Sequence, residues 1–142
     1  MRVELTIEIA RTPEEVFAYL SDVANLTAWQ SGVHAAEIAG GGEPRVGARI
    51  AESRHLLGRE LHTTLEIAEY APPRLFVLRA LDGPVPFPVR HELEPGGEGT
   101  LLTVTGEGDV GLLPGFAAGL MGRRVEKQLR KDFERLKELL EA

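Results

Sequence analysis

The chain has no cysteine, and only 6% of its 142 residues are aromatic. Without cysteine there is no disulfide framework, no thiolate metal site and no thiol nucleophile, which suits a reducing compartment. A basic excess is also missing: 16 Lys and Arg stand against 22 Asp and Glu, a formal charge of -6. That balance offers no field to gather nucleic-acid phosphate, and it disfavours an anionic membrane surface. Long apolar runs are absent as well. The opening "MRVELTIEIA" alternates charged and apolar residues instead of forming a signal peptide, and no later run reaches the ~20 residues that cross a bilayer. The expectation is a soluble, cytoplasmic chain with one domain over residues 1–142. A chain of this size buries about two-thirds of the surface it exposes when unfolded, so its core needs no disulfide or metal.

What is present is strong patterning. From Arg2 to Ile9, Val3, Leu5, Ile7 and Ile9 share one face and Arg2, Glu4, Thr6 and Glu8 the other, the period of a half-buried strand. Thr12 then caps a helix, with Pro13 in its first position and Glu15 three residues beyond the cap. Val16, Phe17 and Leu20 form its apolar stripe. Asp22 caps a second short turn that carries Leu26 and Trp29, the only tryptophan, and the helix pair ends near Gly32.

Between Val33 and Gly108 short β-like runs alternate with turn chemistry: "GGGEP", "LLG", "APP", "GPVPFP" and "EPGGEG". The expected strands are Val33 to Ala39, Ala48 to His55, Glu60 to Tyr70, Arg74 to Ala80, Val89 to Glu94 and Thr100 to Gly108. With the first strand they make a seven-stranded antiparallel meander. From about Pro114 to Leu140 the period changes, and Val125, Leu129, Phe133, Leu136 and Leu140 define one long amphipathic helix. The charges on its other side are of both signs and read as a solvated face. No repeat, low-complexity tract or linker interrupts the chain. The fold class is therefore α+β, with one long helix to cover a seven-stranded sheet.

Charges decide which strand faces point inward. Leu61, Thr63, Leu65 and Ile67 oppose His62, Glu66 and Tyr70; Phe76 and Leu78 oppose Arg79; Val89, His91 and Leu93 oppose Arg90 and Glu92; Leu102 and Val104 oppose Thr103 and Glu107. This interior is mostly aliphatic with a few polar guests, the usual composition of a small-molecule pocket. With so few aromatics, large rings are not expected to fill it. Around Glu52 the pattern does not assign a face: Glu52 and Arg54 share parity with Ile50, Ser53 and His55 with Arg49; with Ile50 inward, Glu52 and Arg54 enter the cavity together and offer an ion pair to a polar ligand head, and otherwise they form a solvent-facing strand end. The start of the last helix, "VGLLPGFAAGLMGRR", is apolar nearly all round and rich in glycine. It fits a closely packed helix start and also a gate presenting Phe116, Leu120 and Met121 to a ligand.

Taken together, "TPEEVFAYLSDVANLTAWQSGV", "VGARI", "EYAPPRL", "GPVPFPVRHELEP", "GTLLTV" and the terminal "DFERLKELLE" resemble the polyketide cyclase/dehydrase and lipid-transport family of the START-like, or Bet v 1-like (SRPBCC), superfamily. The resemblance runs through essentially the whole chain. It implies a helix-grip fold, a curved seven-stranded sheet wrapped around a long C-terminal helix and a hydrophobic cavity. The superfamily includes lipid and sterol carriers, plant ligand-binding proteins and aromatase/cyclases, so the fold alone does not choose an activity.

The first expectation is binding of a small hydrophobic molecule such as a lipid, polyketide, isoprenoid or similar cyclic compound. Its contacts would be Trp29, Leu65, Ile67, Phe76, Leu78, Leu93, Leu102, Phe116, Leu120 and Met121, with His91 as polar anchor. Trp29 would stack on a planar ligand or staple the short helices to the sheet. The alternative is an aromatase/cyclase- or dehydratase-like enzyme with His91 as acid or base, although a core histidine bonded to a neighbouring strand or to Thr63 has the same parity. A third reading is an interaction module. The four histidines show neither HxH nor HExxH spacing, and "GGG" lacks the lysine of a phosphate loop, so neither metal nor cofactor is expected. The sequence does not specify self-association.

Overall fold

Strict alternation becomes β1 (Arg2–Ile9), which buries Val3, Leu5 and Ile9 and exposes Glu4 and Glu8. The structure is a computed structural model that describes residues 2–56, 58–82, 88–107 and 115–142, without the side chains of Leu56, Ala118 and Met121. After β1, Thr12 Oγ1 accepts from the Glu15 backbone N–H at 3.2 Å and opens α1 (Pro13–Ser21). Val16, Phe17 and Leu20 are its buried stripe. Asp22 caps a 3₁₀ turn at Val23–Asn25, its carboxylate accepting from Ala24 N–H at 3.1 Å, and α2 (Leu26–Trp29) follows directly.

The strands are β2 (Val33–Ile38), β3 (Arg49–Leu56), β4 (Arg59–Ala71), β5 (Leu75–Ala80), β6 (Val89–Gly96) and β7 (Gly99–Glu107), and α3 (Gly115–Glu141) ends the chain. Each boundary lies within two residues of the sequence expectation. The turn expected around "GPVPFP" falls outside the described residues except for Pro88, and residues 108–114 lie outside them too. All seven strands form one antiparallel sheet in the order β1-β7-β6-β5-β4-β3-β2. The two strands that flank α1 and α2 in sequence are thus the two sheet edges. The short helices cross from one edge to the other, α1 against β6 and β7 and α2 against β2.

The far half of α3 covers β1 and meets α1 and α2. It buries Phe133 and Leu136, while the Glu141 carboxylate accepts from Ala10 N–H at 2.8 Å and fixes the helix end to the end of β1. Gly32, at φ +84°, closes α2 onto β3: a Cβ there would stand 2.7 Å from the His55 carbonyl oxygen. Only glycine accepts both that backbone conformation and that approach. The segment Trp29 to Ser31 is held against the inner side of β3 as a result.

One departure from alternation changes the interior. The β4–β5 register shifts between Ile67 and Glu69, so the parity that places Tyr70 outside no longer holds. An extra residue in a strand reverses every side chain beyond it. Tyr70 therefore turns inward, with its ring centroid 5.5 Å from Phe17 and 6.1 Å from Phe76.

Candidate functional site

The inner face of the sheet is closed by rings. Phe17 lies 6.0 Å from Phe76, Phe76 5.6 Å from His91, His91 5.8 Å from Phe133, and Phe133 4.9 Å from Trp29. Aromatics are scarce in the chain, yet Phe17, Trp29, Tyr70, Phe76 and Phe133 gather in this one layer. Rings thus fill more of the described interior than the small aromatic share led us to expect. Between them a void of about 10 Å³ remains, bordered by Trp29, Gln30, Ile50, Phe76, Leu78 and His91 among others. That is room for no more than one water molecule.

Polar groups collect where α2, β3 and α3 meet. Ile50 is 1% exposed, which assigns the inner face of β3 and takes Glu52 inward with it, to 3% exposure. Arg54 follows two residues on, its Nε donating to Glu52 Oε1 at 2.8 Å and its Nη2 contacting the same oxygen. Arg54 Nη2 also donates to Gln30 Oε1 at 3.3 Å. Both guanidinium contacts use one carboxylate oxygen, and Glu52 Oε2 is buried with no partner among the described residues. The indole N–H of Trp29 is equally buried and equally unpartnered. Nearby, Asp132 Oδ1 accepts from Ser31 N–H at 3.0 Å and from Gln128 Nε2 at 2.9 Å. Burial raises the Asp132 pKa above the usual 3.8, against the opposing pull of those two hydrogen bonds and the charges of Arg54 and Lys131.

His91 is 3% exposed and stands on the inner face of β6, as its parity requires. Its Nδ1 is 2.8 Å from the Phe76 carbonyl oxygen on β5. A carbonyl only accepts, so Nδ1 carries the proton and Nε2 is left with its lone pair. Burial lowers the pKa to about 4, despite the bond to Phe76, and the ring is neutral at pH 7.

Of the residues expected to touch a ligand, Trp29, Phe76, Leu78 and His91 border the residual void, while Ile67, Leu93 and Leu102 are buried in the adjoining core and Leu65 packs against it. Phe116 and Leu120 do not join them: they are 83% and 51% exposed. The first turns of α3 precede the part that packs on β1 and α2, so nothing among the described residues covers them. The Met121 side chain lies outside what the structure describes. Gln30 and Tyr70 were not among the expected contacts, and Glu52 was one only on the condition that Ile50 points inward, which it does. The signal for Glu52 is its parity with Ile50, and Tyr70 has none, because the bulge before it leaves no mark in the residue pattern.

A second depression, of about 220 Å³, lies over β2, β3 and β4. Most of its lining, including Ala35, Ala51, Ser53 and His62, has the parity opposite to Ile50 and Glu52, so it belongs to the outer face. Ser53 Oγ and His62 Nδ1 are 3.0 Å apart there, and His34 pairs with Glu60 at 3.1 Å. These groups are exposed, and among the described residues no three His, Asp or Glu stand close enough to hold a metal.

A family profile described as polyketide cyclase / dehydrase and lipid transport matches residues 1–141. The chain belongs to that family. No curated protein sequence matches the chain. Among solved structures, TTHA0849 from Thermus thermophilus superposes with a TM-score of 0.79 at 17% identity, over 99% of this chain and 97% of that one. A Rhodobacter sphaeroides protein gives 0.77 at 22% identity, over 98% and 90%. Ara h 8.0201, a Bet v 1-like protein, gives 0.73 at 13% identity, over 99% and 97%. At these identities the likeness concerns the fold, which this polyketide cyclase/dehydrase family member shares with Ara h 8.0201. Among its described residues no helix is long and apolar enough to cross a membrane.

Proposed function

We propose that this chain binds a small hydrophobic molecule, such as a lipid, polyketide, isoprenoid or similar cyclic compound, on the inner face of its sheet. The observation that carries this reading is the buried indole N–H of Trp29, without a partner among the described residues, on a residue that borders the residual void together with Ile50, Phe76 and Leu78; Glu52 Oε2, on the strand face that Ile50 shares, is likewise buried and unpartnered. A core built only for stability satisfies such groups or replaces them. Family membership supports the same reading. Because the void bordered by Trp29, Phe76 and His91 holds only about 10 Å³, a ligand entering there displaces rings of the interior layer, and apolar burial of about 25 cal/mol per Å² must exceed the cost of that rearrangement.

An enzymatic reading would give His91 the acid or base role. Its geometry favours holding over shuttling: the Nδ1 proton is committed to Phe76, and the lowered pKa leaves a weak base at Nε2. Native mass spectrometry of the protein purified from its own host, followed by denaturation and identification of what is released, tests the binding reading. The expected result is a defined adduct of stoichiometric mass with an apolar body. A clean apo mass, together with no saturable uptake of any apolar compound, would count against it.

A further inference from the structure

We propose that the outward stripe of α3 docks on an anionic lipid surface, with Phe116 and Leu120 entering the headgroup layer and the cations behind them meeting lipid phosphates. The proposal does not rest on the binding reading above, because docking needs no ligand inside. Phe116 is 83% exposed and Leu120 51% exposed, one helical turn apart. Among the described residues the other exposed large apolar side chains are Val46 and Leu81, each alone in a turn or bend. Single exposed apolar residues are ordinary, whereas a pair on one helix face marks a surface that something covers.

Helix geometry explains the exposure. The side that α3 packs against the core carries Leu129 and Leu136. At 3.6 residues per turn, Phe116 and Leu120 lie on the opposite side, so they point outward and not along the buried line. The outward line continues from Leu120 in steps of three or four residues through Arg123, Lys127 and Arg130, with Arg124 and Lys131 beside it. All five cations are exposed.

Charge selects the occupant. Residues 123–131 hold those five cations and one acid, Glu126, in a chain whose formal charge is -6. Among the described residues the one ion pair of these five is Arg130 with Glu126, at 3.5 Å. The second half of the helix differs, for Arg135 pairs with Glu138 at 3.3 Å and Lys137 with Glu141 at 3.0 Å. Mixed signs along the whole helix thus conceal a basic first half. Salt limits the reach of charge to about 8 Å at physiological ionic strength, so a docking surface meets these cations and not the total charge that disfavours it.

An apolar tip followed by cations on one line is the pattern of a helix that lies in a lipid interface, where acyl chains take the apolar side chains and phosphates the charges. A second copy docked through the same stripe would bring two sets of cations together. Among the described residues no other exposed apolar cluster on the chain offers Phe116 a seat.

Sedimentation with vesicles tests this. The expected result is binding to vesicles of two parts phosphatidylcholine to one part phosphatidylglycerol that is at least about tenfold tighter than to phosphatidylcholine alone, and that weakens as salt is raised. Phe116→Ser with Leu120→Ser, and separately Arg123→Gln with Lys127→Gln, should each weaken it about tenfold. All four side chains are exposed, so the fold tolerates their loss. The same loss of charge from the sheet, Arg79→Gln with Arg90→Gln, should change binding less than about twofold. No binding to the anionic vesicles, equal binding to the neutral ones, or binding unchanged in either helix variant overturns the proposal. Self-association that Phe116→Ser with Leu120→Ser abolishes, without vesicle binding, assigns the stripe to a second copy and overturns it too. Should the apolar variant not fold, the charge variant decides. A protein that binds these vesicles yet takes up no apolar compound refutes the binding reading alone.

Discussion

The two faces of β3 carry polar residues of similar kind in opposite conditions. On the outer face, Ser53 meets His62, and His34 meets Glu60, each pair open to solvent. On the inner face, Glu52 and Arg54 form a pair whose carboxylate is nearly sealed, with one oxygen left over. The outer pairs have partners and water besides, so losing one changes little. Of the inner pair, Arg54 keeps some exposure and a second partner in Gln30, whereas the Glu52 carboxylate is sealed and its Oε2 has no partner among the described residues. The exposed histidines of this face are paired, while the group with unmet bonding capacity, Glu52, lies one residue from Ser53 on the same strand.

The largest test of this contrast is Arg54→Ala. It leaves the Glu52 carboxylate buried without its counter-charge and should destabilise the domain by about 3–5 kcal/mol in urea unfolding. A loss below about 1 kcal/mol would mean that the inner pair behaves like a surface pair.

Acid titration probes the next buried group. The His91 pKa is lowered in the folded state, so its contribution is fully present above the ordinary 6.5 and is lost as pH falls through about 4. Over that interval about 3 kcal/mol should disappear from the unfolding free energy, and His91→Gln should lack that slope. Asp132 works in the opposite sense: its raised pKa makes its contribution fullest below 3.8, diminishing as pH climbs through the folded value, so it softens the acid limb. Without any slope between pH 6.5 and 4, His91 would be exchanging with solvent.

The smallest effect is expected outside. Ser53→Ala should shift stability by no more than about 0.5 kcal/mol, because His62 turns to water instead. A larger loss, measured in the same urea series, would show that the outer depression is more organised than its exposure implies.

How much of this was legible in the residues depends on the kind of order involved. β1, the Thr12 cap, the strand series and α3 follow local rules, and the sequence states them directly. His91 was placed inside by parity alone. Glu52 was not, since Ile50 and Glu52 give the strand one apolar and one charged vote, and only packing casts the deciding one. Tyr70 was read outward because a single-residue shift after Ile67 has no compositional signature. Gathering of the rings from α1, α2, β4, β5 and α3 is a tertiary fact, invisible to any window along the chain. Phe116 and Leu120 were read as inward from apolarity, but burial also requires something opposite them.

The strand order has a consequence for synthesis. β1 is made before the other six strands, yet among the described residues its one ladder partner is β7, with Arg2 opposite Glu107 at a separation of 105 residues. On the ribosome it must wait for nearly the entire sheet to emerge, carrying an alternating apolar edge with no ladder to join. Closure of this long-range pair belongs to the slow, topology-limited class of folding events. While β2 to β6 are being made, β1 therefore stays without its ladder partner, the stage at which a cell's holding chaperones would have most to do.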